Sequence, residues 1–118
     1  MDEAWLRLEE AETDGGDHVV RVVGELDMAT APELLCVLSR YPEGDIHLDL
    51  SELEFIESSG LSVLIQVHQR ATDRGAKLVL YGENDLVRRV LEITGLDEVL
   101  NFDGAMPSPA TGQQDGRR

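Results

Sequence analysis

Residues 46–71 read IHLDLSELEFIESSGLSVLIQVHQRA, and a change of hydrophobic period inside this stretch decides the fold class. Ile46, Leu48 and Leu50 alternate with His47 and Asp49, the period of two that gives a strand one apolar face. After a short link the stripe positions become Leu61, Leu64, Ile65, His68 and Ala71, with Val63 and Val67 widening them. That spacing predicts a helix with one buried side, running from Ser59 until Gly75 stops it. A strand feeding a helix through a short link is the elementary α/β unit.

The flanks repeat the unit. Toward the N-terminus, His18 to Leu26 is rich in β-branched residues and predicts a largely buried strand. A weaker strand signal over 4–13 precedes it across the turn Asp14-Gly15-Gly16-Asp17. Thr30 and Glu33 have the spacing of a capping box, and Ala31, Leu34, Leu35, Leu38 and Tyr41 predict a helix over 31–41, ended by Pro42 and Gly44. Toward the C-terminus, Lys77 to Tyr81 predicts a central strand packed on both faces. Asn84 caps a third predicted helix carrying Leu86, Val87, Val90, Leu91 and Thr94, and Gly95 ends it before a short strand around Val99, Leu100 and Phe102. The expected architecture is α/β, a mixed sheet of about five strands with helices mainly on one side. The domain spans 1–103, and 104–118, rich in Pro, Gly and Gln, is expected to be a disordered tail.

Charge narrows the partners. With 10 basic and 24 acidic residues the net charge is −14, so unaided binding to nucleic acid or an anionic membrane is not expected. A basic protein surface is the natural complement. The single cysteine, Cys36, permits no intramolecular disulfide and no cysteine-based zinc site, which suits a reducing cytosol. No secretory signal and no apolar span of roughly 20 residues is present, so a cytoplasmic location is expected.

Catalytic motifs are missing: there is no phosphate-binding glycine loop, no Gly-x-Ser-x-Gly and no His-Glu-x-x-His. Ser58 and His68, ten residues apart on one helix, would stand about 15 Å apart, too far for a nucleophile and its base. No catalytic residue, cofactor or metal is expected. Asp45, His47 and Asp49 share a strand face, but same-face neighbours about 6.5–7 Å apart do not converge on one ion, so a solvated face is expected. His68 is expected to be hydrogen-bonded and partly buried, Cys36 to be an inert small hydrophobe, and Trp5 to pack.

Ser58 stands at the turn into the second helix, where its ordinary role is an N-cap accepting from the amide of Gly60 or Leu61. A phosphoryl group there would add about −1.5 to −2 charge beside free helix amides. Those amides favour the phosphate, whereas Glu52, Glu54 and Glu57 oppose it through solvent over a Debye length of about 8 Å. The fold is expected to survive such a change, and partner binding is expected to suffer.

Four blocks, in order, resemble the STAS domains of bacterial anti-sigma factor antagonists. They are Gly24-Glu25-Leu26-Asp27, Thr30-Ala31, Leu48-Asp49-Leu50-Ser51 and Phe55-Ile56-Glu57-Ser58-Ser59-Gly60-Leu61. The resemblance covers about residues 5–103. It implies phosphorylation at Ser58, with Ser59 as fallback acceptor, by an anti-sigma factor of the histidine-kinase-like serine kinase type. It also implies release of that partner on phosphorylation and a phosphatase for reset, with ATP and magnesium belonging to the kinase. Asp27, Thr30, Glu57, Ser58, Ser59, Gly60 and Leu61 are the expected partner-binding residues. The family usually carries aspartate where Glu57 stands, one methylene shorter, and glycine is common where Ser62 stands. The competing expectations are a non-phosphorylated STAS module of a transport or signalling assembly and, lowest, a small enzyme.

Overall fold

The computed structural model describes residues 5–82 and 84–103; the tail expected from residue 104 lies outside them. Chain order is β1 (Leu6–Glu12), β2 (His18–Leu26), α1 (Ala31–Leu38), β3 (Ile46–Asp49), β4 (Leu53–Ile56), α2 (Ser58–Asp73), β5 (Leu78–Tyr81), α3 (Asp85–Thr94), a 3-10 turn (Leu96–Glu98) and β6 (Asn101–Phe102). The sheet has six strands in the order β1-β2-β3-β5-β6, with β4 also on β2. β1 and β2 form the antiparallel hairpin, and every other pairing is parallel. The mixed α/β class read from the sequence is the one observed.

The sixth strand is β4, where only a link was expected. Its burial does not alternate, because Leu53 and Ile56 are buried while Glu54 and Phe55 are exposed. The cause is an extra residue in β4: Gly24 pairs Leu53 and Glu25 pairs Phe55, which leaves Glu54 unmatched and breaks the period of two. β2 is therefore shared lengthwise: His18–Arg21 pair with β3, and Gly24–Leu26 pair with β4. At that fork Gly24 adopts φ +116°, and an added Cβ would stand 2.3 Å from the carbonyl oxygen of Trp5. Only glycine lets β1 and β2 approach so closely.

α1 stops at Leu38, three residues before the expected end. Tyr41 precedes Pro42, a position at which helical backbone is disfavoured. Its ring instead stacks on His18, centroids 3.9 Å apart. The N-cap of α3 is as expected, Asn84 Oδ1 accepting from the amides of Leu86 (2.9 Å) and Val87 (3.3 Å). Gly95 closes α3 with φ +79°. Leu86, expected on the buried stripe, is exposed, whereas Val87 and Leu91 are buried. Buried residues of all three helices join Val20, Val22, Leu26, Ile46, Leu48, Leu78 and Leu80 in one core cluster. No helix among the described residues is long and apolar enough to cross a membrane.

Burial pushes the pKa of both tyrosines in the chain above its ordinary value. At Tyr41 the hydrogen bond to the Glu10 carboxylate adds to it, and at Tyr81 the charges of Asp103, Asp45 and Asp17 do. Folding thus favours the neutral phenols. Their stabilisation is complete below the unfolded value near pH 10 and is lost as pH climbs from there through the folded values. A spectrophotometric titration is expected to show phenolate well above pH 10 in the native protein and near pH 10 in denaturant. Coincident curves would contradict the burial of these rings.

Candidate functional site

The site is built where the C-terminal ends of β2 and β4 lie side by side. β4 delivers Glu57 in extended conformation (φ −125°, ψ −171°), its amide donating to the Leu26 carbonyl at 3.0 Å. The Glu57 carbonyl then accepts from the amides of Gly60 (2.9 Å) and Leu61 (3.1 Å). Glu57 is therefore the N-cap residue, through its main chain, and Ser58 is the first residue inside α2. The expected Ser58 cap is not formed. Pairing to β2 ends at residue 57, whose carbonyl already takes the first helical bonds, so the turn into helix falls one residue early.

This register presents Ser58 outward and exposed. Helix geometry leaves the first amides of α2 without intrahelical partners, and with those of Gly60 and Leu61 bonded to Glu57, the amides of Ser58 and Ser59 form the open end. The Ser59 hydroxyl is enclosed and has no hydrogen-bond partner. Gly60 fits against the sheet because it has no side chain: a Cβ would lie 2.9 Å from both Ile56 Cγ1 and Leu26 Cβ. Leu61 is buried beneath the same turn.

The loop after β2 forms the other half. The Asp27 carboxylate accepts from the amides of Ala29 (2.8 Å) and Thr30 (3.1 Å), and its carbonyl accepts from Ala31 at 2.8 Å. The Thr30 hydroxyl donates to the Glu25 carbonyl at 2.6 Å and accepts from the Asp27 amide at 3.0 Å. Thr30, with only 7 % of its surface exposed, thus bonds back to β2, and the expected capping box with Glu33 is absent. The two halves meet through one contact, the Glu57 carboxylate accepting from the Met28 amide at 2.9 Å. Met28 is 78 % exposed and was not singled out in the sequence, although an apolar residue inside a tight polar turn is the signal that marks it.

Of the neighbouring acids, Glu52 is paired with Arg21, and Glu54 lies exposed on β4. Cys36, expected to be an inert small hydrophobe, is a free thiol that lies exposed on α1. His68 is half-buried, as expected, but the hydrogen bond expected of it is not made at Nδ1, which is enclosed and without a partner.

At the other end of the sheet, the face carrying His47 is not solvated, its side chain being 12 % exposed. Asp49 turns away to bond Ser51, and Asp17 takes its place, with His47 Nε2 3.7 Å from the Asp17 carboxylate. Asp17, Asp45 and His47 offer ligand atoms within 4.8 Å of one another. Backbone amides of Asp45 and Lys77 hold the two carboxylates, and the Tyr81 hydroxyl holds His47 Nδ1 at 2.7 Å. This cluster ties the β1–β2 turn to the loop before β3.

Comparison with known proteins identifies the domain and its fold. The family model described as Mlab, STAS domain matches residues 10–101. The chain is similar to the anti-sigma-B factor antagonist of Listeria monocytogenes, with 35 % identity over 107 residues covering 86 % of this chain and 92 % of the relative. Its fold superposes on an anti-sigma factor antagonist from Mycobacterium paratuberculosis with a TM-score of 0.75 and 27 % identity, covering 86 % and 88 % of the two chains. It also shares its fold with the Bacillus cell fate determinant SpoIIAA in the phosphorylated form (TM-score 0.65, 20 % identity, 86 % and 92 % covered). With β4 leading into α2 at Ser58 and the Asp27–Thr30 turn set beside it, the chain belongs to the STAS domain family of anti-sigma factor antagonists.

Proposed function

We propose that the chain is a partner-switching regulator of sigma-factor-dependent transcription. In its unmodified state it docks, through the Asp27–Thr30 turn and the start of α2, on an anti-sigma factor that is a serine kinase of the histidine-kinase-like type. That partner transfers the γ-phosphoryl group of ATP to Ser58. The Oγ–phosphorus bond forms as the bond to ADP breaks, and the hydroxyl proton passes to a base of the kinase. The modified chain lets go, and a phosphatase resets it.

The observation that carries this reading is the exposed Ser58 hydroxyl on the first turn of α2, backed by Gly60 and flanked by an ordered turn. An anion at this position meets open helix amides. The enclosed Ser59 hydroxyl is the poorer acceptor. The net charge of −14 suits a basic docking surface, and a neighbour of the same fold is known in a phosphorylated form.

Incubation with the purified anti-sigma kinase and magnesium ATP, followed by mass spectrometry, is expected to find one phosphate on Ser58 and none in Ser58→Ala. A chain unmodified at both Ser58 and Ser59 would overturn the switching mechanism.

A further inference from the structure

Glu57 is the one side chain that bonds across from the α2 side of the site to the Asp27–Thr30 turn in the hydrogen bonds described above. The side chains of Asp27 and Thr30 bond only to their own turn and to β2. Glu57 spans 29 positions of sequence to accept from Met28. We infer that Glu57 is a positioning residue that latches the Met28 turn to the start of α2, and that phosphate on Ser58 acts on the docking surface by weakening this latch. The inference rests on the phosphorylation of Ser58 proposed above and gives it a structural consequence.

Three features support it. The bond depends on length: aspartate would fall short by one methylene, about 1.5 Å, enough to lose a contact of 2.9 Å. What the latch holds matters to a partner, since Met28 is the most exposed large apolar residue among those described, and a fixed apolar side chain loses less entropy on docking. Finally, phosphate acts on the latch in one direction by either of two routes. Its charge repels the adjacent Glu57 carboxylate, and its oxygens compete for the one amide, that of Met28, on which that carboxylate depends.

The test uses the chain alone, so that failure of the kinase reading and failure of the latch are separable. Phosphoserine is placed at position 58 during translation, and amide hydrogen exchange is followed at Met28, with Val22 and Leu64 as core references that verify folding. Glu57→Ala and Glu57→Asp are expected to speed Met28 exchange about fivefold or more, while Glu57→Gln, which keeps the acceptor, stays within about twofold of the parent. Phosphoserine 58 is expected to speed Met28 exchange in the parent chain and to add nothing in Glu57→Ala. Unchanged Met28 exchange in Glu57→Ala removes the latch. Unchanged exchange with phosphoserine 58 in the parent chain removes its link to phosphorylation, whatever the kinase assay finds.

Discussion

A chain bearing phosphate on Ser58 is expected to bind its anti-sigma partner at least about a hundredfold more weakly than the unmodified chain, while unfolding at nearly the same temperature. The two halves of this prediction have different origins. At a docked surface the added charge of about −1.5 to −2 must be desolvated or face a partner shaped for a hydroxyl, a cost of several kcal/mol. Since about 1.4 kcal/mol is a factor of ten, a hundredfold loss is a conservative expectation. Within the isolated chain the same charge sits at a helix start whose first turn carries no acidic side chain, and Glu52 is already paired with Arg21. There the helix amides offset repulsion from Glu57. Calorimetric titration and a thermal melt of the same sample decide it. Binding within about threefold of the parent, or a melt lowered by more than about 10 °C, would each defeat the prediction.

The largest effect on stability is expected from Gly24→Ala. Alanine there must adopt φ +116°, which L residues resist, and its methyl would meet the Trp5 carbonyl at 2.3 Å. The obstacle is main chain, so no rotamer change relieves it. β1 would have to move off and give up the bond from the Glu25 amide to Trp5, 2.9 Å long. Strain of about 1–3 kcal/mol together with the displaced strand makes roughly 3–5 kcal/mol, a large part of a typical domain's 5–15 kcal/mol. The melting temperature should fall by more than about 10 °C. Gly75→Ala is the control, for Gly75 also has positive φ (+78°) but open space around the added methyl. It should cost only about 1–2 kcal/mol. Equal losses at the two positions would show that close approach at Trp5 is not the constraint.

These positions also show what a sequence discloses. Features fixed by neighbours in the chain were legible: the β-branched run of β2, the Asn84 cap and the Gly95 stop all stand where local chemistry puts them. Features fixed by distant partners were not. β4 was obscured because the shift beside Gly24 broke its alternation, and the Ser58 cap failed because pairing with Leu26 ended at Glu57, whose carbonyl caps the helix instead. Thr30 had two possible partners, and the Glu25 carbonyl took it away from the helix. In the site, the residues could be named by pattern. Their connection could not, since the Glu57 to Met28 bond has no signature in either segment.

The division of β2 between β3 and β4 bears on how such a regulator can diversify. The strands that lead into the Asp27–Thr30 turn and into Ser58 meet each other only over Gly24–Leu26, beyond the stretch that β2 shares with β3. Substitutions that retune the exposed residues there, such as Met28 and Ser58, leave the ladders of β3 and β5 untouched. On the switching function proposed above, partner choice can therefore change at these surface positions while the strand pairings that hold the core stay as they are.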